Sequence, residues 1–251
     1  MTPLDWSVLS FASEVRLATS RQLMRQFWTP REIDPSRARL GRDVLQRLAE
    51  WRVLDRLPRA IGGARAGSDG HIYSVGLAGS KMLVGRGLQV RRSGVPGDRH
   101  IRHVLAITEA VVSLHEAHRD GELDLLEVQT EPRCWREFLT GFASRMIVKP
   151  DLFIRIGVGA LEDRYFIEID MATEASGTID AKAQRYFKHL RSGTEQAEHS
   201  VYPGVLWAVP DERRAKQLQA MLGRHRSGIT RMFSVCLQRD LVRYLAAEAR
   251  S

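Results

Sequence analysis

Acidic residues at the boundaries of two predicted strands could together bind a divalent metal ion. Asp151 follows Pro150 and opens one strand, and Glu168 and Asp170 lie near the end of the next strand. Because side chains alternate along a strand, Glu168 and Asp170 are expected on the same face. Neighbouring strands lie about 4.8 Å apart, so Asp151 can converge on them from a hairpin partner. Such an oxygen-rich corner suits Mg²⁺ or Mn²⁺, which polarise a phosphate and activate a water molecule.

The same carboxylates also have a purely structural interpretation. Acidic residues at a buried strand edge often accept hydrogen bonds from helix N-termini or pair with basic side chains. Glu168, Asp170 and Glu174 could do this beside Lys182 and Arg185. On the sequence alone, both interpretations stay open.

The elements that would position these residues follow an α/β pattern. Apolar residues at helical spacing predict a long helix over residues 102–119. Beyond it, strands are predicted at 124–129, 151–156, 165–170, 201–209 and 233–237, and helices at 178–190, 211–225 and 241–249. The stretch through Pro132 and Trp135 is expected to be irregular. This order predicts an α/β domain with a central mixed sheet covered by helices on both faces.

The first part of the chain has a different pattern. Short helices are predicted at 4–17, 21–28 and 36–52, followed by strands at 53–57 and 71–75 and another short helix over 76–87. Three short helices and a hairpin with a basic, glycine-rich tip resemble the winged helix-turn-helix family, in which the third helix enters the major groove. The resemblance implies base-edge or phosphate contacts for Arg37, Arg39 and Arg42, and wing contacts for Arg59 and Arg65.

The net positive charge lies in this first part of the chain. Residues 1–99 hold 17 Lys and Arg against 9 Asp and Glu, whereas the other 152 residues hold 21 of each. A separate basic module is typical of proteins that bind a polyanion, so double-stranded DNA is the expected partner. Two alternatives stay open: a solvated arginine face, and a winged helix that binds only a protein partner.

A domain boundary is predicted between the two patterns. Residues 89–100 combine glycine, proline and arginine, which is typical of a basic linker. The sequence therefore predicts a winged helix-turn-helix domain over residues 1–88, a linker over 89–100 and an α/β domain over 101–251.

The second domain resembles the PD-(D/E)xK nuclease superfamily, which has the restriction-endonuclease-like fold of helix, three strands, helix and strand. Pro150-Asp151 matches the first part of its motif, and Glu168-Ile169-Asp170 matches the second. The resemblance implies that Asp151, Glu168 and Asp170 are catalytic residues and ligands of Mg²⁺ or Mn²⁺. Asp170 stands where the family has a lysine that orients the attacking water and stabilises charge on the phosphate.

Two lysines could replace the missing one. Lys182 lies on the following helix, where related nucleases carry relocated basic residues, and Lys149 precedes the Pro-Asp pair. Contact between either lysine and the carboxylates would favour an enzyme, with Lys182 as the expected catalytic residue. Many members carry an additional acidic ligand on the first helix. Glu109 and Glu116 lie two turns apart on the same face and either could take that role, with Glu109 as the expected metal ligand.

Nearly the whole chain resembles the replication-relaxation family. The similarity rests on the winged helix, a helix that starts near His103, the run from Phe166 to Glu174, and a following helix with Lys182 and Tyr186. It implies a DNA-binding protein of plasmid or mobile-element replication and DNA relaxation, to which the nuclease-like domain would add a metal-dependent DNA-nicking activity. The alternative is a non-catalytic DNA-binding regulator or replication accessory. Replication or mobilisation proteins would be further partners, and a two-fold homodimer is expected for either role.

Other function classes lack their motifs. No run of apolar residues approaches the roughly 18 that a membrane span needs. Neither the phosphate-binding loop of P-loop NTPases nor the G-x-S-x-G of serine hydrolases is present. Cys134 and Cys236 are expected to be buried thiols, not a disulfide, which points to a cytoplasmic protein.

Overall fold

The computed structural model describes residues 1–28, 35–57, 70–88, 97–141, 144–225 and 232–249. These residues form a mixture of helices and strands, as the sequence predicts. The chain divides into two units, Met1–Glu116 and Ala117–Ser251. This division lies inside a helix, C-terminal to the predicted linker over 89–100, and residues 89–96 of that linker lie outside the described part.

The first unit has the order of elements expected of a winged helix. Its elements are α1 (Pro3–Val15), β1 (Ala18–Thr19), α2 (Ser20–Trp28), α3 (Pro35–Glu50), β2 (Leu54–Arg56), β3 (Ile72–Val75), α4 (Leu77–Val84) and most of α5 (Asp98–Arg119). Strand β3 lies between β1 and β2 and is antiparallel to both. The structure thus adds a third strand, β1, to the predicted hairpin.

Local interactions explain where these helices form. The Thr2 hydroxyl accepts a hydrogen bond from the Asp5 amide at 3.2 Å, and the Asp5 carboxylate accepts one from the Thr2 amide at 2.8 Å. This capping box satisfies two backbone amides at the start of α1. In α4, a Cβ at Gly79 would lie 2.2 Å from the carbonyl oxygen of Val53. Glycine therefore permits the close approach of α4 to the chain before β2.

Hydrogen bonds join α5 to the first unit. The buried hydroxyl of Thr108 donates to the carbonyl oxygen of Leu17 at 2.6 Å. The side-chain amide of Gln22 on α2 donates to the carbonyl oxygen of Leu105 at 2.9 Å. Because of these contacts, most of α5 belongs with the first unit and not with the second, where the sequence had placed it.

The second unit is built on a mixed five-stranded sheet. Its elements are β4 (Leu125–Thr130), β5 (Arg136–Leu139), β6 (Arg145–Val148), β7 (Leu152–Val158), β8 (Leu161–Ile169), α6 (Ser176–Ser192), α7 (Thr194–His199), β9 (Gly204–Val209), α8 (Glu212–Leu222), β10 (Phe233–Leu237) and α9 (Leu241–Glu248). The strand order is β10-β9-β8-β7-β4. Strands β8, β9 and β10 are parallel, whereas β7 is antiparallel to both β8 and β4.

Two features of this unit differ from the sequence prediction. The stretch after Pro132, expected to be irregular, contains β5 and β6, which pair with each other as a separate two-stranded sheet. Helix α7 was also not predicted. Strands β5 and β6 bury only Phe138 and Val148 between them, and their sequences show no alternation of apolar and polar residues that would predict a strand.

The core of the second unit positions the candidate site. Phe166 and Trp207 from the sheet pack with Tyr186 of α6 and Leu218 of α8. Strands β8 and β9 run parallel and lead into α6 and α8, so both helices start at one edge of the sheet. Ligands of α/β sheets commonly bind at such an edge. Because β7 is antiparallel to β8, its first residues lie at the same edge.

Candidate functional site

Asp151 and Glu168 lie side by side at this edge. Leu152 is the register partner of Ile167, and the amide of Asp151 donates to the carbonyl oxygen of Ile167 at 3.0 Å. One carboxylate oxygen of Asp151 accepts a hydrogen bond from the amide of Ile169 at 2.7 Å. Asp151 and Glu168 are buried, with 6% and 2% of their surface exposed. Of the three carboxylates expected to meet at one corner, Asp151 and Glu168 are neighbours across the β7–β8 pair, whereas Asp170 pairs with Arg214 of α8.

Helix α6 supplies the hydrogen-bond partners of Glu168. The Lys182 ammonium lies 3.0 Å from Oε2 of Glu168, and the Tyr186 hydroxyl donates to Oε1 at 2.6 Å. Lys182 and Tyr186 are four residues apart, which places them on one face of the helix. The Lys182 ammonium also lies 3.0 Å from Oε1 of Glu174. Lys182 is thus held between two carboxylates.

Burial and charge set the protonation of this group. Burial raises the pKa of Glu168 to about 7, and the Lys182 charge opposes this shift. Burial also disfavours the charged form of Lys182, but the carboxylates of Glu168, Asp151 and Glu174 outweigh it and raise the pKa of the ammonium. Burial, followed by the nearby Glu168 charge, raises the pKa of Tyr186. Lys182 therefore stays charged and Tyr186 stays a neutral hydrogen-bond donor at neutral pH.

Asp170 is bound to an arginine from α8. Nε of Arg214 lies 2.6 Å from Oδ2 of Asp170, and Nη2 lies 3.0 Å from Oδ1. The amide of Ala172 also donates to Oδ2 at 3.1 Å. Both oxygens of Asp170 are therefore committed to hydrogen bonds. The structural interpretation of a carboxylate paired with a cation describes Asp170, although its partner is Arg214 and not Lys182 or Arg185.

Glu109 lies in the first unit, where it binds an arginine of α2. Arg25 forms ion pairs with both Glu109 and Glu116. The side-chain amide of Gln22 also donates to Glu109 at 3.1 Å. Hydrogen bonds to the two carboxylates raise the pKa of Arg25, so its charge is permanent. The shared face of Glu109 and Glu116 thus fastens α5 to α2.

Of the two lysines singled out from the sequence, Lys182 contacts the carboxylates. Lys149 is exposed and its ammonium lies 4.4 Å from the ring centroid of Trp135. Lys182 is close to Glu168 even though Asp170 occupies the expected lysine position of the motif. The structure therefore brings Asp151, Glu168 and Lys182 together.

The contacts of the acidic side chains limit which residues could hold a metal ion. Within the described ranges, no group of three or more His, Cys, Asp or Glu side chains is placed to bind one. Asp151 and Glu168 are adjacent carboxylates, and Mg²⁺ commonly uses one or two carboxylates together with water and substrate phosphates. Asp151 and Glu168 are therefore the carboxylates that could hold such an ion, and the ion would share Glu168 with Lys182 and Tyr186. Asp170 and Glu109 are instead bound to arginines.

The third helix of the first unit exposes arginines. Arg39 and Arg42 lie about one turn apart on α3 and both are exposed. Arg47, farther along α3, pairs with the buried Asp5 at 2.6 Å and so has an internal role. The side chain of Arg37, and the predicted wing contacts Arg59 and Arg65, lie outside the described residues.

A family model described as replication-relaxation matches residues 9–205. The chain belongs to the replication-relaxation family. The match extends into both units of this replication-relaxation protein and includes Asp151, Glu168 and Lys182, but it ends before Arg214. No curated protein matches the chain. Along the described residues, no helix is both long and apolar enough to cross a membrane.

Two residues of the site were not found from the sequence. Arg214 and Gln238 lie 44 and 68 residues beyond Asp170, and Gln238 donates to the Asp170 carbonyl oxygen at 2.8 Å. Arg214 lies in the first turn of α8, directly after β9. This position, directly after a strand that runs parallel to β8, is the sequence signal that could have identified Arg214.

Proposed function

We propose that this replication-relaxation protein binds duplex DNA through α3 and acts in the replication of plasmids or mobile elements. The observation that carries the proposal is the pair of exposed arginines, Arg39 and Arg42, on the third helix of a winged-helix arrangement. A helix in this position enters the major groove in winged-helix proteins. Each guanidinium offers a planar set of donors to phosphate oxygens or to guanine.

The packing of α3 supports this orientation. A Cβ at Gly41 would lie 2.5 Å from Sδ of Met24 and 2.9 Å from the ring of Trp28, both on α2. Gly41 therefore marks the face of α3 that is packed against α2. Arg39 and Arg42 lie on the exposed part of the same helix. A two-fold dimer of the chain would place two such helices on successive half-sites.

The test is the salt dependence of binding to a labelled duplex. We expect Arg39→Ala with Arg42→Ala to weaken binding and to reduce the slope of log K against log salt by up to about two, one for each lost phosphate contact. Lys81→Ala is the matched control, because Lys81 is an exposed basic residue on α4 of the same unit. An unchanged slope and affinity in the double variant would contradict the proposal.

A second candidate function is hydrolysis of the DNA backbone at Asp151, Glu168 and Lys182. It is favoured by the 3.0 Å contact of Lys182 with Glu168. Asp151 and Glu168 would hold Mg²⁺ or Mn²⁺, which when bound polarises the scissile phosphate. The Lys182 ammonium would stabilise negative charge on a phosphate oxygen, and Tyr186 would fix the orientation of Glu168 through its hydrogen bond.

Nicking of supercoiled plasmid in Mg²⁺ or Mn²⁺ tests this candidate. We expect activity that falls at least about a hundredfold in Asp151→Asn, Glu168→Gln and Lys182→Met, since each removes a charge from the reacting group. Glu162→Gln is the control, because Glu162 lies on β8 but pairs with Arg155 and Arg164 away from the site. Duplex binding without nicking in the wild type would favour the non-catalytic regulator.

A further inference from the structure

Four side chains of the second unit form a chain of hydrogen bonds and ion pairs from the core to the surface. Tyr186 and Glu168 are buried, with 1% and 2% exposed, whereas the side chains of Lys182 and Glu174 are 28% and 33% exposed. Lys182 lies 3.0 Å from a carboxylate oxygen of each glutamate. Its inner partner is thus fixed in the core, and its outer partner lies where a ligand from solvent would arrive.

The backbone around Glu174 is anchored independently of its side chain. Nη2 of Arg214 donates to the carbonyl oxygen of Glu174 at 3.2 Å, and Gln238 donates to that of Asp170 at 2.8 Å. The Glu174 side chain can therefore leave Lys182 by rotation, with both ends of the segment held in place.

The outer ion pair is incompletely satisfied. Oε1 of Glu174 contacts Lys182, but Oε2 is buried and has no hydrogen-bond partner among the described residues. A buried acceptor that lacks a donor is unfavourable, because it has given up its bonds to water. The contact that holds Glu174 against Lys182 is therefore weaker than its distance suggests.

We propose that the Glu174 carboxylate occupies the position on Lys182 that a DNA phosphate takes, and that it must swing away before the backbone can bind there. This autoinhibitory contact rests on the proposed action of the second unit on DNA. A phosphate diester carries the same single negative charge as the carboxylate and accepts the same ammonium hydrogen bonds. Glu168 keeps its bond to Tyr186 throughout, so the exchange involves only the outer partner of Lys182.

Duplex binding by matched charge variants of the full chain tests the exchange. Glu174→Gln is expected to tighten binding by about twofold to fivefold, the value of a partly exposed ion pair, and to steepen the salt dependence by about one phosphate contact. Glu162→Gln removes the same charge elsewhere on the unit and should change neither the affinity for the duplex nor its salt dependence. Adding Lys182→Gln to Glu174→Gln should abolish the gain. Equal behaviour of Glu174→Gln and Glu162→Gln would overturn the proposal.

Thermal melting in inorganic phosphate tests, without DNA, whether an anion can replace Glu174 at Lys182. At constant ionic strength, phosphate should raise the melting temperature of Glu174→Gln more than that of the wild type or Glu162→Gln. The same response in all three would refute an anion position at Lys182. A wild type that fails to bind duplex would disprove the proposed function, and the phosphate series would still test Glu174.

Discussion

Arg214 and Asp170 form a two-bond ion pair that joins the first turn of α8 to the end of β8. The Arg214 side chain is 9% exposed and that of Asp170 is 1% exposed. The hydrogen bonds to Asp170 raise the pKa of Arg214, so the guanidinium keeps its positive charge. Asp170 thus fixes the connection between β8 and α6.

Removal of Arg214 should destabilise the fold. Loss of one partner from a buried pair leaves an uncompensated charge, which costs about 3 kcal/mol or more. We therefore expect Arg214→Ala to lower the free energy of unfolding by about that amount in urea denaturation. Arg243→Ala is the control, since Arg243 is 80% exposed and pairs with Asp240 at 2.8 Å. Arg243→Ala should lower the free energy of unfolding by at most about 0.5 kcal/mol. Equal losses in the two variants would contradict the expected contribution of the buried pair with Asp170.

Glu168 should make stability depend on pH. Burial raises its pKa from an ordinary value of 4.5 to about 7, so the folded protein holds this proton more tightly than the unfolded chain. Its stabilising contribution is complete below pH 4.5 and is lost as the pH rises through about 7. Glu168→Gln cannot lose a proton. Thermal melting between about pH 5 and 8 should show the stability of the variant rising relative to wild type; a flat or falling difference would contradict the raised pKa.

Ala172 adopts a backbone conformation that favours glycine. Its φ is +55°, in the left-handed region, in the connection between β8 and α6. That conformation costs a non-glycine residue about 1–2 kcal/mol, and glycine adds up to about 1 kcal/mol of unfolded-state entropy. Ala172→Gly should therefore stabilise the protein by about 0.5 kcal/mol in denaturant titrations. Ala181→Gly, at an exposed position inside α6, should instead destabilise it by about 1 kcal/mol.

Two glycine-to-alanine changes should have opposite signs. A Cβ at Gly79 would lie 2.2 Å from the Val53 carbonyl oxygen, a backbone atom that cannot move cheaply. Gly79→Ala is expected to destabilise the protein by about 2 kcal/mol or more. A Cβ at Gly177, in the first turn of α6, would meet nothing within 4 Å. Gly177→Ala should stabilise by about 0.5 kcal/mol. Calorimetric melting of both variants measures the two changes in stability. Changes of the same sign would contradict this prediction.

The sequence predicted the elements whose pattern is long and local. Alternation through Phe166 to Asp170 and the helical spacing around Lys182 predicted β8 and α6, because each signal is contained within one segment. They left open whether Lys182 or Lys149 reaches the carboxylates, and the structure places Lys182 at Glu168. Strands β5 and β6 escaped prediction because their sequences, Arg-Glu-Phe-Leu and Arg-Met-Ile-Val, do not alternate between apolar and polar residues.

The sequence pattern could not predict contacts between segments that lie far apart in the chain. The seven-residue spacing of Glu109 and Glu116 indicated a shared helix face but not the residue that it meets, which is Arg25 on α2. The partner of Asp170 was unpredictable in the same way, because Arg214 lies 44 residues farther along the chain. A carboxylate in a motif does not reveal whether a metal ion or an arginine neutralises it.

The attachment of α5 to α2 determines where the chain can be cut for biochemical work. A recombinant fragment that stops in the linker near residue 97 would remove Glu109 and Glu116 from Arg25. It would also uncover the apolar surface that Leu17 shares with Ile101 and Val104. Uncovered apolar surface of this kind promotes aggregation. A fragment that continues to Arg119, the end of α5, keeps both the charges and the apolar cover.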